Sequence, residues 1–141
     1  MPMSSLNHLR KYFNMRKVII GALASLMLFG CSSNADQQRN LELLAQNRAS
    51  VLSSELPLEY GPLSIMRARA KGTTIEIMMV YNDDAPGAKP TQQIMKMSVD
   101  SYCSDPDVKN NLEVGISYRI QMRNSRGQLM IDQYIDNSTC Q

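Results

Sequence analysis

Histidine, tryptophan and phenylalanine are scarce in this sequence of 141 residues. It has one histidine, His8, no tryptophan and two phenylalanines. Imidazole supplies the base of most hydrolytic triads and is a common metal ligand, so its absence after residue 8 argues against a triad hydrolase or a histidine metal site. A glycine-rich phosphate loop is also missing. The sequence therefore offers no catalytic residue, no metal site and no cofactor site.

A long hydrophobic run is missing as well. The longest run, Val18–Phe29, has twelve apolar or small residues, fewer than the roughly 20 that a membrane-spanning helix needs. Residues 1–30 contain four basic residues and no acidic one. A basic segment followed by a short apolar one is typical of a secretory signal peptide, which we predict for residues 1–30. A complete signal peptide begins at either Met1 or Met15, so translation can start at either residue.

An excess of positive charge is absent once this segment is removed. The whole chain has 15 basic and 13 acidic residues, and four of the basic ones lie in residues 1–30, which leaves 11 against 13 and a net charge of −2. Such a balance gives no basic footprint for nucleic acid. We therefore expect no nucleic-acid partner.

The first cysteine follows the apolar run directly. Leu28-Phe29-Gly30-Cys31 resembles the lipobox of bacterial lipoproteins, in which a small residue precedes a cysteine that receives lipid. We predict cleavage before Cys31 and lipidation of its thiol, which makes a durable membrane anchor when several acyl chains are attached. In such lipoproteins a serine after the cysteine, here Ser32, favours the outer membrane. The alternative is an ordinary signal peptide with a chance cysteine.

The other two cysteines are far apart in sequence. Cys103 and Cys140 form no C-x-x-C motif, which argues against a redox-active role. In an oxidising compartment two thiols allow one intramolecular disulfide, and two unpaired thiols are the alternative. We predict the disulfide.

Helical patterns occupy two parts of the exported chain. After a polar tether at residues 31–38, a single domain is predicted for residues 39–141. A helix is predicted over residues 37–54, where apolar residues recur at helical spacing and favour a core role over a partner site. A second helix fits residues 91–102. Asp105 as N-cap and Pro106 at the first helical position predict a third, to about Leu112. The apolar stripe of the first helix is formed by Leu41, Leu44, Ala45, Val51 and Leu52.

Alternating patterns predict strands in the remaining segments. Residues 63–69 and 73–81 flank a short turn, and Ile75, Ile77, Met79 and Tyr81 point to one side of the second strand. A later strand alternates from Val114 to Met122 and returns over residues 128–136 after a turn at residues 124–127.

Clustered acids and scattered methionines are the remaining features. Asp83-Asp84 lies in a loop rich in proline and glycine, and Asp105 and Asp107 lie at a helix start, so solvation and capping explain them better than catalysis or calcium. Methionine serves irregular cores and also surfaces that adapt to a partner. As a hypothesis, we assign partner binding to Met66, Met78, Ile94, Met95, Met97 and Met130.

Four segments carry a family resemblance. They are Lys71–Thr74 (KGTT), Cys103–Lys109 (CSDPDVK), Glu113–Tyr118 (EVGISY) and Ser138–Cys140 (STC). In order and spacing, residues 60–141 resemble type II secretion system pilotins of the AspS/GspS-beta type, which are outer-membrane lipoproteins. The lipobox lies where this family has it.

The resemblance implies a fold and a function. The fold is α+β, an antiparallel sheet of about four to five strands packed on one face by helices, with one disulfide from Cys103 to Cys140. The function is to bind a C-terminal segment of the secretin subunit, which becomes an amphipathic helix in an apolar groove, and to direct it to the outer membrane through the lipoprotein sorting machinery. The resemblance implies no enzymatic activity.

A rival function comes from a different class of protein. Inhibitors of periplasmic or host enzymes, such as lysozyme inhibitors, are also small, disulfide-bonded and rich in strands. An inhibitor would place a polar loop in an active site, and residues 82–90 form such a loop. A purely structural envelope lipoprotein is not indicated, since the sequence has no long coiled coil.

Overall fold

The computed structural model describes the backbone of residues 30–141 and the side chains of residues 33–141. Residues 1–29 of the predicted signal peptide and the side chain of Cys31 lie outside the described part of the chain. Residues 38–141 form one compact unit, which contains the whole sheet. Within the described part, none of the helices has the length and apolar character to cross a bilayer.

Three helices and five strands make up the described chain. In order they are α1 (Gly30–Ser54), β1 (Leu58–Tyr60), β2 (Leu63–Lys71), β3 (Thr74–Tyr81), α2 (Thr91–Ser104), α3 (Pro106–Glu113), β4 (Ser117–Asn124) and β5 (Leu129–Ile135). The sequence patterns found every element except β1, whose three residues are too few to show alternation. Helix α1 begins seven residues before the predicted start, so the residues predicted as a tether are helical here.

The sheet is mixed, which corrects the expectation of a purely antiparallel sheet. Its strand order is β1-β2-β3-β4-β5. All neighbouring pairs are antiparallel except β3 and β4, which are parallel from Thr74 beside Ser117 to Tyr81 beside Asn124. Parallel neighbours need a long crossover connection, and α2 and α3 supply it. The α+β class, the strand number and the disulfide are confirmed.

One face of the sheet forms the core together with buried residues of α1 and α3, and α2 packs partly buried side chains against it. On β3 the predicted inward set is confirmed, because Ile75, Ile77, Met79 and Tyr81 are each at most 3% exposed. Helix α1 contributes alanines, whose small side chains let it approach closely. The core consists of Ala45, Ala49, Ala68, Ile75, Ile77, Met79, Tyr81, Leu112, Ile116, Tyr118, Ile120, Met122, Ile131 and Ile135.

Helix α3 begins and ends with recognisable caps. The Oδ1 of Asp105 accepts hydrogen bonds from the backbone N–H groups of Asp107 (2.8 Å) and Val108 (3.0 Å), which confirms the predicted N-cap. After the helix, Gly115 has φ +103°, a conformation that favours glycine. The strand therefore starts at Ser117, and Val114, predicted on its buried face, is 51% exposed.

The disulfide joins the end of α2 to the C-terminus. The Cα atoms of Cys103 and Cys140 are 5.2 Å apart across a separation of 37 residues. A turn leads the chain to Cys140, because Asp136 Oδ1 accepts hydrogen bonds from Ser138 and Thr139. Hydrogen bonds from both residues lower the pKa of Asp136, and the one from the Ser138 side chain has the largest effect. The turn thus holds the second half-cystine where α2 ends.

The opposite side of the sheet, which we call the outer face, is polar. Glu76 is its most buried charge, at 5% exposure. Arg69 Nε donates to Glu76 Oε2 at 2.8 Å, and Arg119 Nη1 donates to Glu76 Oε1 at 3.2 Å. Arg119 also holds Asp132 with two hydrogen bonds, at 2.7 and 2.6 Å. The strand register assigns to the outer face Glu59, Ser64, Arg67, Arg69, Lys71, Thr74, Glu76, Met78, Val80, Ser117, Arg119, Gln121, Arg123, Leu129, Asp132 and Tyr134.

Removing the disulfide is expected to destabilise the domain. In the chain-entropy model, a bridge across a separation of 37 residues contributes about 4 kcal/mol. We expect the double variant Cys103→Ser, Cys140→Ser to have an unfolding free energy lower by about this amount. Its urea midpoint should fall accordingly. Reductant should lower the midpoint of the wild type and leave the variant unchanged. Equal midpoints for wild type and variant would contradict this role.

The ion network around Glu76 predicts a dependence of stability on pH. Burial alone raises the pKa of Glu76, but the hydrogen bonds from Arg69 and Arg119 outweigh burial and hold the pKa below its ordinary value. Because the pKa of Glu76 is lower in the folded state, its carboxylate stabilises the fold above about pH 4.3, the pKa of a glutamate in the unfolded chain. This contribution is lost as the pH falls through the folded-state pKa. The side chain of Arg69 is 61% exposed and that of Arg119 is 22% exposed. Solvent therefore screens the Arg69–Glu76 ion pair more than the Arg119–Glu76 ion pair.

We expect Glu76→Gln to cost about 1 to 3 kcal/mol at neutral pH. The difference in unfolding free energy between wild type and variant should shrink as the pH is lowered from 6 to about 3. Exposed Glu113→Gln removes the same charge and serves as the control. A difference that is independent of pH would show that the carboxylate charge is not what stabilises this face.

Candidate partner-binding groove

A cavity of about 420 Å³ opens on the helical side of the sheet. This volume lies in the range of small-ligand and side-chain binding clefts. Seven of its twelve lining residues are aliphatic or aromatic. The lining residues, which define the groove, are Arg48, Val51, Leu52, Tyr60, Ile65, Ser101, Tyr102, Asp105, Asp107, Val108, Asn111 and Tyr118.

The last turns of α1 form one wall of the groove. Ser53 Oγ donates a hydrogen bond to the carbonyl oxygen of Ala68 on β2, which fixes the end of the helix against the sheet. Ala49 faces the core, whereas Val51 is 63% and Leu52 38% exposed. Both belong to the stripe that the sequence assigned to the core. Exposed aliphatic residues beside an apolar cavity are typical of a surface that binds a partner.

Two tyrosines form the floor of the groove. The rings of Tyr102 and Tyr118 meet edge to face with centroids 5.4 Å apart. Asn111 Nδ2 donates to the Tyr118 hydroxyl at 2.7 Å. Burial raises the pKa of Tyr102, and the neighbouring Tyr118 and Asp105 raise it further. Burial also raises the pKa of Tyr118, and this effect exceeds the lowering caused by the Asn111 hydrogen bond. Both phenols therefore stay neutral and present polar groups within an otherwise apolar floor.

Charged residues of both signs also line the groove. Arg48 belongs to α1, and Asp105 and Asp107 stand at the start of α3. One oxygen of Asp105 caps α3, so Asp107 is the freer carboxylate of the pair. An apolar floor with charged edges suits an amphipathic helix, which buries its apolar side and keeps its polar side at the edges.

The six residues assigned to partner binding lie on several surfaces, and none lines the groove. Ile94 and Met95 pack against the core from α2, and Met97 on the same helix is 49% exposed. Met78 lies on the outer face. Met66 (43% exposed) and Met130 (37%) lie at β-bulges of β2 and β5. The bulges explain why both methionines depart from regular alternation.

The sequence held one signal for the groove that we did not use. Helix α1 has more apolar residues than one buried stripe requires, since Leu43 is also present and is 51% exposed. Ala45, Ala49 and the partly buried Leu44 fill the core side, and Leu43, Val51 and Leu52 face outward. Tyr60 was missed with its strand and is 59% exposed.

The acidic clusters have structural explanations. Asp83 and Asp84 are 3.8 and 3.9 Å from Arg126, a loose contact at the loop surface. Asp105 is the N-cap described above. Among the described residues, no three histidine, cysteine, aspartate or glutamate side chains come together as a metal site.

The comparisons with known proteins identify the family. The family model described as type II secretion system (T2SS) pilotin, S protein, matches residues 37–140. This match covers most of the sequence, and the chain belongs to the type II secretion system pilotin family. The resemblance read from the four sequence segments is confirmed.

Individual relatives agree with this assignment. The structure of the type II secretion system pilotin AspS from Vibrio cholerae is 63% identical, with a TM-score of 0.72, and covers 77% of this chain and 99% of that chain. The pilotin AspS 2 of Escherichia coli O78:H11 (strain H10407 / ETEC) is 27% identical and covers 88% of this chain and 90% of that protein. Lipoprotein YghG of Escherichia coli (strain K12) is 26% identical with the same coverage.

Proposed function

We propose that the groove binds a C-terminal segment of the type II secretion secretin subunit as an amphipathic helix, and that the chain directs this subunit to the outer membrane. The observation that carries the proposal is the cluster of Val51, Leu52 and Tyr60, each at least 38% exposed, around an apolar cavity of about 420 Å³. Membership of the pilotin family supports the identity of the partner.

Binding of this kind couples folding of the segment to its recognition. A segment that is disordered when free loses conformational entropy as it becomes helical, which lowers the affinity for a given contact area. Burying an exposed aliphatic side chain contributes about 1.5 to 3 kcal/mol, so a few apolar anchors suffice. Arg48 and Asp107 then fix the direction of the helix through opposite charges.

The N-terminal part of the chain supplies the membrane attachment. Residues 1–30 are the lipoprotein signal peptide, Cys31 carries the lipid, and residues 31–38 connect it to the domain. The lipoprotein sorting machinery delivers the chain to the periplasmic face of the outer membrane, as Ser32 after the cysteine favours. The lipobox sequence and a relative named as a lipoprotein support this assignment.

The chain acts by binding and not by catalysis. Its only histidine precedes the predicted cleavage point, and pilotin family membership supports a role in assembly. The enzyme-inhibitor alternative has no support from the relatives. Its candidate loop is held to the fold by Tyr81, whose hydroxyl accepts from the Lys89 backbone N–H at 2.6 Å and donates to the Lys89 carbonyl at 3.1 Å.

A charge placed in the groove should prevent capture of the secretin segment. We expect Val51→Asp to weaken binding of a synthetic peptide of the secretin C-terminus about 10- to 100-fold, because it replaces an apolar anchor with a carboxylate that must lose water on binding. The affinity is measured by calorimetry. Circular dichroism should show helix formation on mixing with the wild type and much less with the variant.

Two matched variants test the position of the groove. Leu43→Asp changes another exposed residue of α1, and Met97→Asp changes an exposed residue of α2 from the sequence-based hypothesis. Both should bind the peptide with an affinity close to that of the wild type. If either weakens binding as much as Val51→Asp, the partner does not occupy this groove.

Removal of the lipidated thiol should detach the protein from membranes. We expect Cys31→Ala to leave the outer-membrane fraction and to become soluble or mislocalised, since a domain without acyl chains has no durable anchor in that membrane. The Cys103→Ser, Cys140→Ser variant keeps Cys31 and should remain in the membrane fraction. Recovery of Cys31→Ala with the outer membrane after a high-salt wash, in cells lacking the secretin, would contradict lipid anchoring.

A further inference from the structure

Charge is distributed unevenly over the domain. The outer face contains five basic residues and three acidic ones, a net charge of +2. The rest of residues 31–141 contains six basic and ten acidic residues, a net charge of −4. The total of −2 therefore conceals a cationic outer face on a chain that is otherwise acidic. Local fields, and not the net charge, decide what each side attracts.

Three cations of the outer face are free to meet a partner. Arg69 and Arg119 are paired with Glu76 and Asp132. Within the described residues, Arg67, Lys71 and Arg123 form no ion pair, and all three are exposed. Arg123 donates one hydrogen bond to the Gly127 carbonyl at 2.8 Å, which holds its guanidinium on this face.

These cations are spread over the sheet and do not converge. On the register of β3, Arg123 lies beside Val80, Arg67 beside Met78 and Lys71 beside Thr74. The six residue steps from Thr74 to Val80 correspond to about 20 Å along a strand. At the centre of the face, the depression between Arg67, Arg69 and Gln121 has a volume of about 50 Å³, room for water and not for an inserted side chain.

We propose that the outer face is a second membrane contact, at which Arg67, Lys71 and Arg123 bind the headgroups of anionic phospholipids. Dispersed cations on a shallow surface match a layer of many anions, whereas one acidic peptide or one phosphate needs converging groups. This proposal rests on the lipid anchor of the proposed function, because the anchor holds the domain beside a bilayer. At such a high local concentration, a weak contact is sufficient.

The contact gives the domain a preferred orientation. The groove is lined by the helices and by the core side of the sheet, and the outer face lies on the opposite side. When the outer face rests on headgroups, the groove points away from the bilayer. Asp105 and Asp107 of the groove are then directed away from the anionic surface, and the groove stays open to a segment arriving from the periplasm.

Vesicle binding by the full mature chain with Cys31→Ser tests the contact without the lipid. We expect sedimentation with vesicles rich in phosphatidylglycerol, little with pure phosphatidylcholine, and loss of binding as salt is raised. Each cation removed should weaken binding about fivefold, so that Arg67→Gln, Lys71→Gln, Arg123→Gln together weaken it about 100-fold. The matched triple variant Lys89→Gln, Lys96→Gln, Lys109→Gln has the same net charge and should bind nearly as the parent does.

Three results would overturn the membrane contact. They are no preference for anionic vesicles, equal weakening by the two triple variants, and binding to a poly-glutamate peptide without binding to vesicles. Affinity for the secretin peptide, measured on the same proteins, separates this proposal from the groove. A chain that keeps its peptide affinity and ignores anionic vesicles would leave the groove proposal intact.

Discussion

The parallel pairing of β3 with β4 determines where every other element lies. Two parallel neighbours cannot be joined by a tight turn, so the chain must leave the sheet and return to the same end. It does so through α2 and α3, whose apolar residues join the core on the side where α1 also packs. The crossover therefore creates a helical side with a groove and leaves the outer face polar. Both binding surfaces considered above follow from this one connection.

The disulfide stabilises the crossover at the end of α2, next to the groove. Cys103 directly follows Tyr102, a floor residue of the groove, and its bond to Cys140 ties the end of α2 to the C-terminus. On the other side of the groove, the short α3 begins at the Asp105 cap. The floor thus lies between a covalent link and a helix cap, which limits how far it can move when a partner binds. A rigid floor lowers the entropy lost by the pilotin itself.

Local patterns predicted the elements well, whereas features that depend on distant residues were missed. The alternation of Ile75, Ile77 and Met79 and the Asp105-Pro106 cap are properties of a few neighbouring residues. The parallel direction of β4, by contrast, depends on the path of a connection of about 35 residues. The groove is assembled from six elements, so no local pattern marks it. The irregular spacing at Met66 and Met130, which suggested the methionine hypothesis, comes from β-bulges.

The lipid anchor, the groove and the outer face need different binding affinities, for a physical reason. Acyl chains on Cys31 would supply nearly all of the membrane affinity, since each buried CH₂ contributes about 0.8 kcal/mol. In the proposed function the groove needs only moderate affinity, because the lipid would fix the destination and the secretin segment would have to stay bound only during transfer. A contact on the outer face can be weaker still, since tethering raises its local concentration. Its effect is on orientation, and it keeps Val51 and Tyr60 accessible while the domain remains at the membrane.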